Sequence, residues 1–130
     1  MKKITILLVI IFTFLFSTTS WGEWELGSES VTDGKMYYDK DRVRKNGKSL
    51  YFWMLHDYGR PSLDGTLSVS TYTQLDCSIF RYKDLKVRFY DKSMGEGEIT
   101  SAGTPLDEWN YPLPNSVFEY FYKKICEEHQ

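Results

Sequence analysis

The side chains with the widest chemical reach in this sequence are two histidines, two cysteines and eighteen carboxylates. His56 stands beside Asp57. With a serine from elsewhere, the two would supply the base and acid of a nucleophilic set. The nucleophile is missing: there is no G-x-S-x-G elbow and no cysteine beyond the single pair. His56 is more simply a strand-end histidine, and His129 lies next to the C-terminus. Metal-ligand spacings of the H-x-x-x-H, H-E-x-x-H or C-x-x-C kind are absent, as is the EF-hand pattern. Glu96-Gly97-Glu98 and Asp107-Glu108 read as solvated loop acids. We therefore expect no catalytic residue, no metal, no cofactor and no enzymatic activity.

A different chemistry, that of contact, has better support. Arg42, Arg44, Lys45 and Lys48 form a basic run and are the candidate partner-binding residues. Such a run can dock an acidic partner, a sulfated glycan or a lipid headgroup. Its plainer use is to keep a hairpin tip soluble and to discourage edge pairing. Aromatic residues make up 17% of the chain. Tyr37, Tyr38, Tyr51, Trp53, Tyr58, Tyr72 and Tyr82 would divide between a core and a binding face, since Tyr and Trp bury apolar area yet keep a polar handle. Without Lys2 and Lys3 the net charge falls from −2 to −4. A mildly acidic domain does not suit nucleic acid, which demands positive charge facing phosphates.

The N-terminus has the pattern of a secretory signal peptide over residues 1–22. Lys2 and Lys3 begin it, Ile4 to Phe16 is almost unbroken apolar sequence, and Ser20 and Gly22 place small side chains for a cut before Glu23. The apolar run is short of the ~20 residues that span a bilayer. No cysteine follows it, so a lipid anchor is not expected, and the membrane is met only during export. Residues 23–130 then form one domain, located in the periplasm or outside the cell. Cys77 and Cys126, an even pair in an oxidising compartment, are expected to bond. By chain entropy, a bridge closing so long a loop is worth about 4 kcal/mol.

The elements that would position these residues follow from pattern. Trp24 and Leu26 open a short first strand or an ordered arm, and Asp33-Gly34 is a turn signal. Lys35 to Tyr38 reads as an aromatic strand. Asn46-Gly47 is a strong hairpin signal, since both central residues of a type I′ turn have positive φ. Lys48 to Tyr58 is the longest strand. Leu50, Phe52 and Met54 share one face and Tyr51, Trp53 and Leu55 the other, so both faces need cover. Thr66 to Tyr82 suits a strand or a bent strand pair. Lys83-Asp84 would be a turn, and Leu85 to Tyr90 alternates as a half-buried strand. Asp91 to Asn110 is loop with a short strand near Ile99. Ser116-Val117-Phe118-Glu119 fits a capping box. Phe118, Phe121, Tyr122 and Ile125 then give one apolar helical stripe, with Glu127 and Glu128 poorly placed for the helix dipole, so that the end should fray. The sum is α+β: an antiparallel sheet of about five or six strands with one C-terminal helix packed on it.

Several stretches together resemble the bacterial surface-adhesin protein E family: Tyr37-Tyr38-Asp39; Arg42-Val43-Arg44-Lys45-Asn46-Gly47-Lys48 leading into Tyr51-Phe52-Trp53; Asp76-Cys77 with Phe80-Arg81-Tyr82; Met94-Gly95; and Trp109-x-Tyr111-Pro112-x-Pro114-x-Ser116 before a helix holding Cys126. The resemblance covers residues 35–128. It implies a small antiparallel sheet with a C-terminal helix, and an exported, non-enzymatic protein-binding module in adhesion to host or matrix proteins. The alternative is a soluble periplasmic, envelope-associated accessory protein with no host ligand. The partner would be a protein, and a homodimer contact through the sheet face is one way to cover the second face of residues 50–55.

Overall fold

A computed structural model describes residues 24–129; the signal peptide expected over residues 1–22 lies outside them. Seven antiparallel strands form one sheet: β1 (Trp24–Ser30), β2 (Gly34–Asp39), β3 (Arg44–Asn46), β4 (Ser49–Asp57), β5 (Ser68–Asp76), β6 (Arg81–Tyr90) and β7 (Ile99–Gly103). The order across the sheet is β1-β2-β4-β5-β6-β7, with β3 pairing the opposite end of β4 from β2. Among the described residues one α-helix, α1 (Val117–His129), follows the sheet. The expected α+β class and its single C-terminal helix are both present.

The register settles which residues share a face. Leu50 pairs with Leu75, Phe52 with Thr73 and Met54 with Thr71, while Tyr38 pairs with Met54. These face α1, whose Val117, Phe121, Tyr122, Ile125 and Cys126 join Met36, Tyr38, Leu50, Phe52, Met54 and Leu75 in one core. Tyr38 meets Phe52 and Phe121 edge to face, with ring centroids 6.2 and 6.0 Å apart, a favoured aromatic geometry. The expected stripe on the helix is thus the one that packs. Cys77 and Cys126 are bonded, with Cα atoms 5.8 Å apart across a sequence separation of 49. The bridge ties α1 to the turn that follows β5.

Three local expectations change. The β5–β6 turn is Cys77–Phe80, and Lys83-Asp84 lies inside β6. Asp76 holds that turn: its carboxylate accepts the Ser78 N–H (3.0 Å), the Ser78 hydroxyl (2.6 Å) and the Arg81 Nε–H (3.2 Å). Ile79 sits in the turn and is 56% exposed. The register slips between Tyr72↔Lys86 and Thr73↔Asp84, leaving Leu85 as a bulge residue. At the β3–β4 hairpin, Asn46 pairs with Ser49, so the two-residue loop is Gly47-Lys48 rather than Asn46-Gly47. Gly47 has φ 63 and Lys48 does not have positive φ, the pattern with glycine first in a type II′ turn.

The third change is at the helix ends. Ser116 Oγ accepts the Glu119 N–H at 3.1 Å, as a capping box requires, but the Glu119 carboxylate reaches the Asn115 N–H at 3.3 Å instead of that of Ser116. At the far end α1 extends to His129. The buried Tyr38 hydroxyl donates to Glu128, and the Tyr38 and His129 rings meet edge to face at 5.8 Å. Burial, and then the Glu128 carboxylate, push the Tyr38 phenol well above its ordinary range. A hydrogen bond to a charged group outweighs the modest dipole penalty on Glu128.

Candidate functional site

β4 is the strand with two apolar faces, and α1 covers only one of them. On the other side, Tyr51 pairs with Gln74, Trp53 with Tyr72, Leu55 with Ser70 and Asp57 with Ser68. Leu55 is fully buried all the same. The turn Ser93–Gly95 caps it; Ser68 Oγ donates to the Lys92 carbonyl (2.6 Å) and accepts the Gly95 N–H (2.9 Å). A Cβ at Gly95 would lie 3.3 Å from the Leu55 side chain, and the φ of +67 suits glycine. That turn ends the cover, and Tyr51, Trp53 and Tyr72 remain half-exposed beyond it.

These three rings form a ladder across neighbouring strands. Trp53 and Tyr72 have centroids 5.2 Å apart, and Tyr51 and Tyr72 6.4 Å. Cations grip both sides. The Arg88 guanidinium lies 4.9 Å over the Trp53 ring, and Arg44 Nη2 donates to the Tyr72 hydroxyl at 3.0 Å. Lys86, opposite Tyr72, and Arg88, opposite Ser70, project from the same face. Arg44, Lys86 and Arg88 are exposed, and none makes an ion pair with a carboxylate among the described residues. Farther along, Trp109 is overlaid by Arg81 (4.1 Å) and Lys83 (4.6 Å). Their charges are already engaged, by Asp76 at 3.2 Å and Asp107 at 2.7 Å. Rings held by cations keep their orientation in the absence of a partner, which lowers the ordering cost of contact.

The four basic residues singled out in the sequence separate in space. Arg44 joins the ladder. Arg42 sits in a 3-10 turn at 3.7 Å from Asp39. Lys45, opposite Leu50, belongs to the other face, and Lys48 occupies the hairpin loop. Of the seven aromatics, Tyr38 is core, Tyr82 stacks on Tyr122 at 4.7 Å on the helix side, and Tyr51, Trp53 and Tyr72 form the half-buried ladder. Tyr37 and Tyr58 line a cleft of about 510 Å³ at the end of the outer face, with Lys35, Asp57, Arg60 and Met94. Lys86 and Arg88 were not singled out; their alternation with Leu85, Val87 and Phe89 put them on the polar side of β6, but only the register sets them beside Trp53 and Tyr72.

His56 and Asp57 point to opposite faces, so they cannot act as one acid–base unit. The His56 ring contacts the Asp33 carbonyl through Nε2 and packs edge to face on Tyr58 at 4.7 Å and Phe118 at 6.0 Å. Among the described residues there is no cluster of three or more metal-ligating side chains. No helix among them is long and apolar enough to cross a membrane.

The family profile described as surface-adhesin protein E matches residues 24–127. No curated protein gives a significant match. Among solved structures, protein E from non-typeable Haemophilus influenzae aligns with a TM-score of 0.59 at 17% identity, over 85% of this chain and 79% of that one. A second structure of Haemophilus influenzae protein E gives 0.57 at 17% identity, over 86% and 92%. At that identity the structural likeness is one of fold.

Proposed function

The chain belongs to the surface-adhesin protein E family, and from that premise we propose that it is an exported, non-enzymatic protein-binding module acting through the outer sheet face around Tyr51, Trp53 and Tyr72. One observation carries the reading: the helix covers one side of β4, and the other presents a half-exposed aromatic ladder ringed by Arg44, Lys86 and Arg88. Aromatic and arginine side chains together are the usual anchors of protein interfaces. The unpaired cations select a partner surface with negative charge. In this reading the chain loses residues 1–22, folds outside the cytoplasm without a lipid anchor, and meets host or matrix proteins at the cell surface. A second copy fits the same face less well, because stacking two outer faces would bring Arg44, Lys86 and Arg88 against their own counterparts.

Two measurements test this. Protease shaving of intact cells should digest the mature chain; protection until the outer membrane is opened would sink the adhesin reading and leave a partner inside the envelope. In solution, purified matrix and serum glycoproteins should bind the mature chain saturably, and Trp53→Ala with Arg88→Ala should weaken that binding more than tenfold while leaving the melting temperature close to that of the parent, as expected for central anchors. Equal binding by the variant would remove the outer face from consideration.

A further inference from the structure

The two edges of the sheet are finished in different ways. β1 is guarded by charge, shape and a neighbour. It carries Glu25 and Glu29, its register shifts at Gly27, and α1 lies along it. Lys124 Nζ donates to the Leu26 carbonyl at 2.8 Å, and the Ser28 hydroxyl to the Val117 carbonyl at 3.0 Å. These are the devices by which proteins keep an edge from pairing. β7 is five residues long and shares one of them, a register shift that leaves Thr100 unpaired between Phe89↔Ser101 and Tyr90↔Ile99, but it lacks the charge and the covering helix. Its sequence, Ile-Thr-Ser-Ala-Gly, contains no charge and no proline, and all five residues are exposed. It pairs with β6 on one side, and among the described residues no strand lies on the other. Alternate backbone N–H and C=O groups of an edge strand point outward without a ladder partner.

The surroundings of β7 say what chemistry suits that edge. Residues 91–108 hold Asp91, Glu96, Glu98, Asp107 and Glu108 against one base, Lys92. That is a net charge of −4, equal to the whole excess of residues 23–130. All five acids are exposed and flank β7 at both ends; Asp107 is paired with Lys83 at 2.7 Å, and the other four make no ion pair among the described residues. Ile99 and Leu106, 52% and 77% exposed, add apolar surface at the same two ends.

We propose that β7 is a strand-addition site for an extended basic segment of a partner protein. The segment's main chain would continue the ladder beyond β7, its neutral core matching the small side chains and its terminal lysines or arginines meeting the flanking acids. Pairing of β7 with β7 of a second copy is disfavoured in either direction, because both ends of each strand are acidic and like charges would face one another. This edge adjoins the aromatic face at Arg88, which pairs with Ala102, but the outward main-chain groups of β7 are a different surface from the rings, so peptide N-methylation and ring substitution test the two apart.

The test uses the mature chain and a short synthetic peptide with an alternating threonine–valine core and lysines at both ends. Nuclear magnetic resonance should show amide shifts concentrated in residues 99–103, and hydrogen exchange of the outward β7 amides should slow at least tenfold. N-methylation of alternate core amides of the peptide should abolish binding, since it removes the ladder donors and keeps the charge. Glu96→Gln with Glu98→Gln and Glu108→Gln should weaken binding about tenfold, and raised salt should do the same. Binding that survives N-methylation, or shifts that fall on the outer face around Trp53, would overturn the proposal. Protection of the same amides by concentration-dependent self-association, with no peptide present, would overturn the choice of occupant.

Discussion

Asp76 and Asp84 lie on the same hairpin, and their surroundings push them in opposite directions. The Ser78 hydroxyl and the Arg81 guanidinium stabilise the Asp76 carboxylate, which titrates below the usual range. Burial alone pushes Asp84 up, beside the Tyr82 and Tyr122 rings. A depressed carboxyl contributes stability that is present above its unfolded pKa of about 4 and is lost as pH falls through the folded value. A raised one contributes stability only below the unfolded pKa, lost as pH rises through the folded value. Asp76→Asn should therefore cost about 1–3 kcal/mol at neutral pH, and much less in acid. Asp84→Asn should stabilise the domain at neutral pH, with the gain vanishing below about pH 4. Urea titrations at a series of pH values read both. Glycine at position 27 has a packing reason of its own: a Cβ there would run into the Phe121 ring.

At the scale of elements, the docking of α1 on the sheet is the central event. Phe121 is fully buried between β1, Tyr38 and Tyr122. Phe121→Ala should cost about 3–5 kcal/mol in chemical denaturation, and a loss below about 1 kcal/mol would mean that the helix face is wrong. Gly27→Ala should cost about 1–3 kcal/mol by overpacking the same contact from the other side. The helix could be read from its cap and its stripe because both are local: Ser116, Glu119 and the i, i+3, i+4 spacing lie within a few turns of chain. The β5–β6 turn could not. Both Cys77–Phe80 and Lys83-Asp84 have acceptable turn residues, and the choice falls to the Asp76 hydrogen bonds and the Leu85 bulge, which only the paired hairpin reveals.

For the whole molecule, the Cys77–Cys126 bridge is the one covalent tie between the sheet and the helix. Replacing both cysteines by serine should remove about 4 kcal/mol, a large share of the ~5–15 kcal/mol that holds a domain together. Thermal unfolding with and without reductant reads it. Sequencing of the mature N-terminus should give Glu23 or a close neighbour. An intact Met1 on an exported chain would show that the apolar segment stays in place. Charge is also distributed at this scale: the outer face presents free cations and the β7 edge the excess acids, so the modest net value conceals two surfaces of opposite sign.

From the sequence alone came the paired cysteines, the two apolar faces of β4, the alternation of β6, the capped amphipathic helix and the α+β class. Each depends on residue types within one element or on a simple count. The tertiary structure decided which side of β4 the helix takes, since both sides are apolar and periodicity does not rank them. It also decided that Leu55 is capped by Met94-Gly95 while its neighbour Trp53 stays open. Above all, it selected Arg44 from the basic run and joined it through Tyr72 to Trp53, Lys86 and Arg88. Those residues come from four strands, and cross-strand register, being a long-range property of paired backbones, is carried by no single stretch of chain.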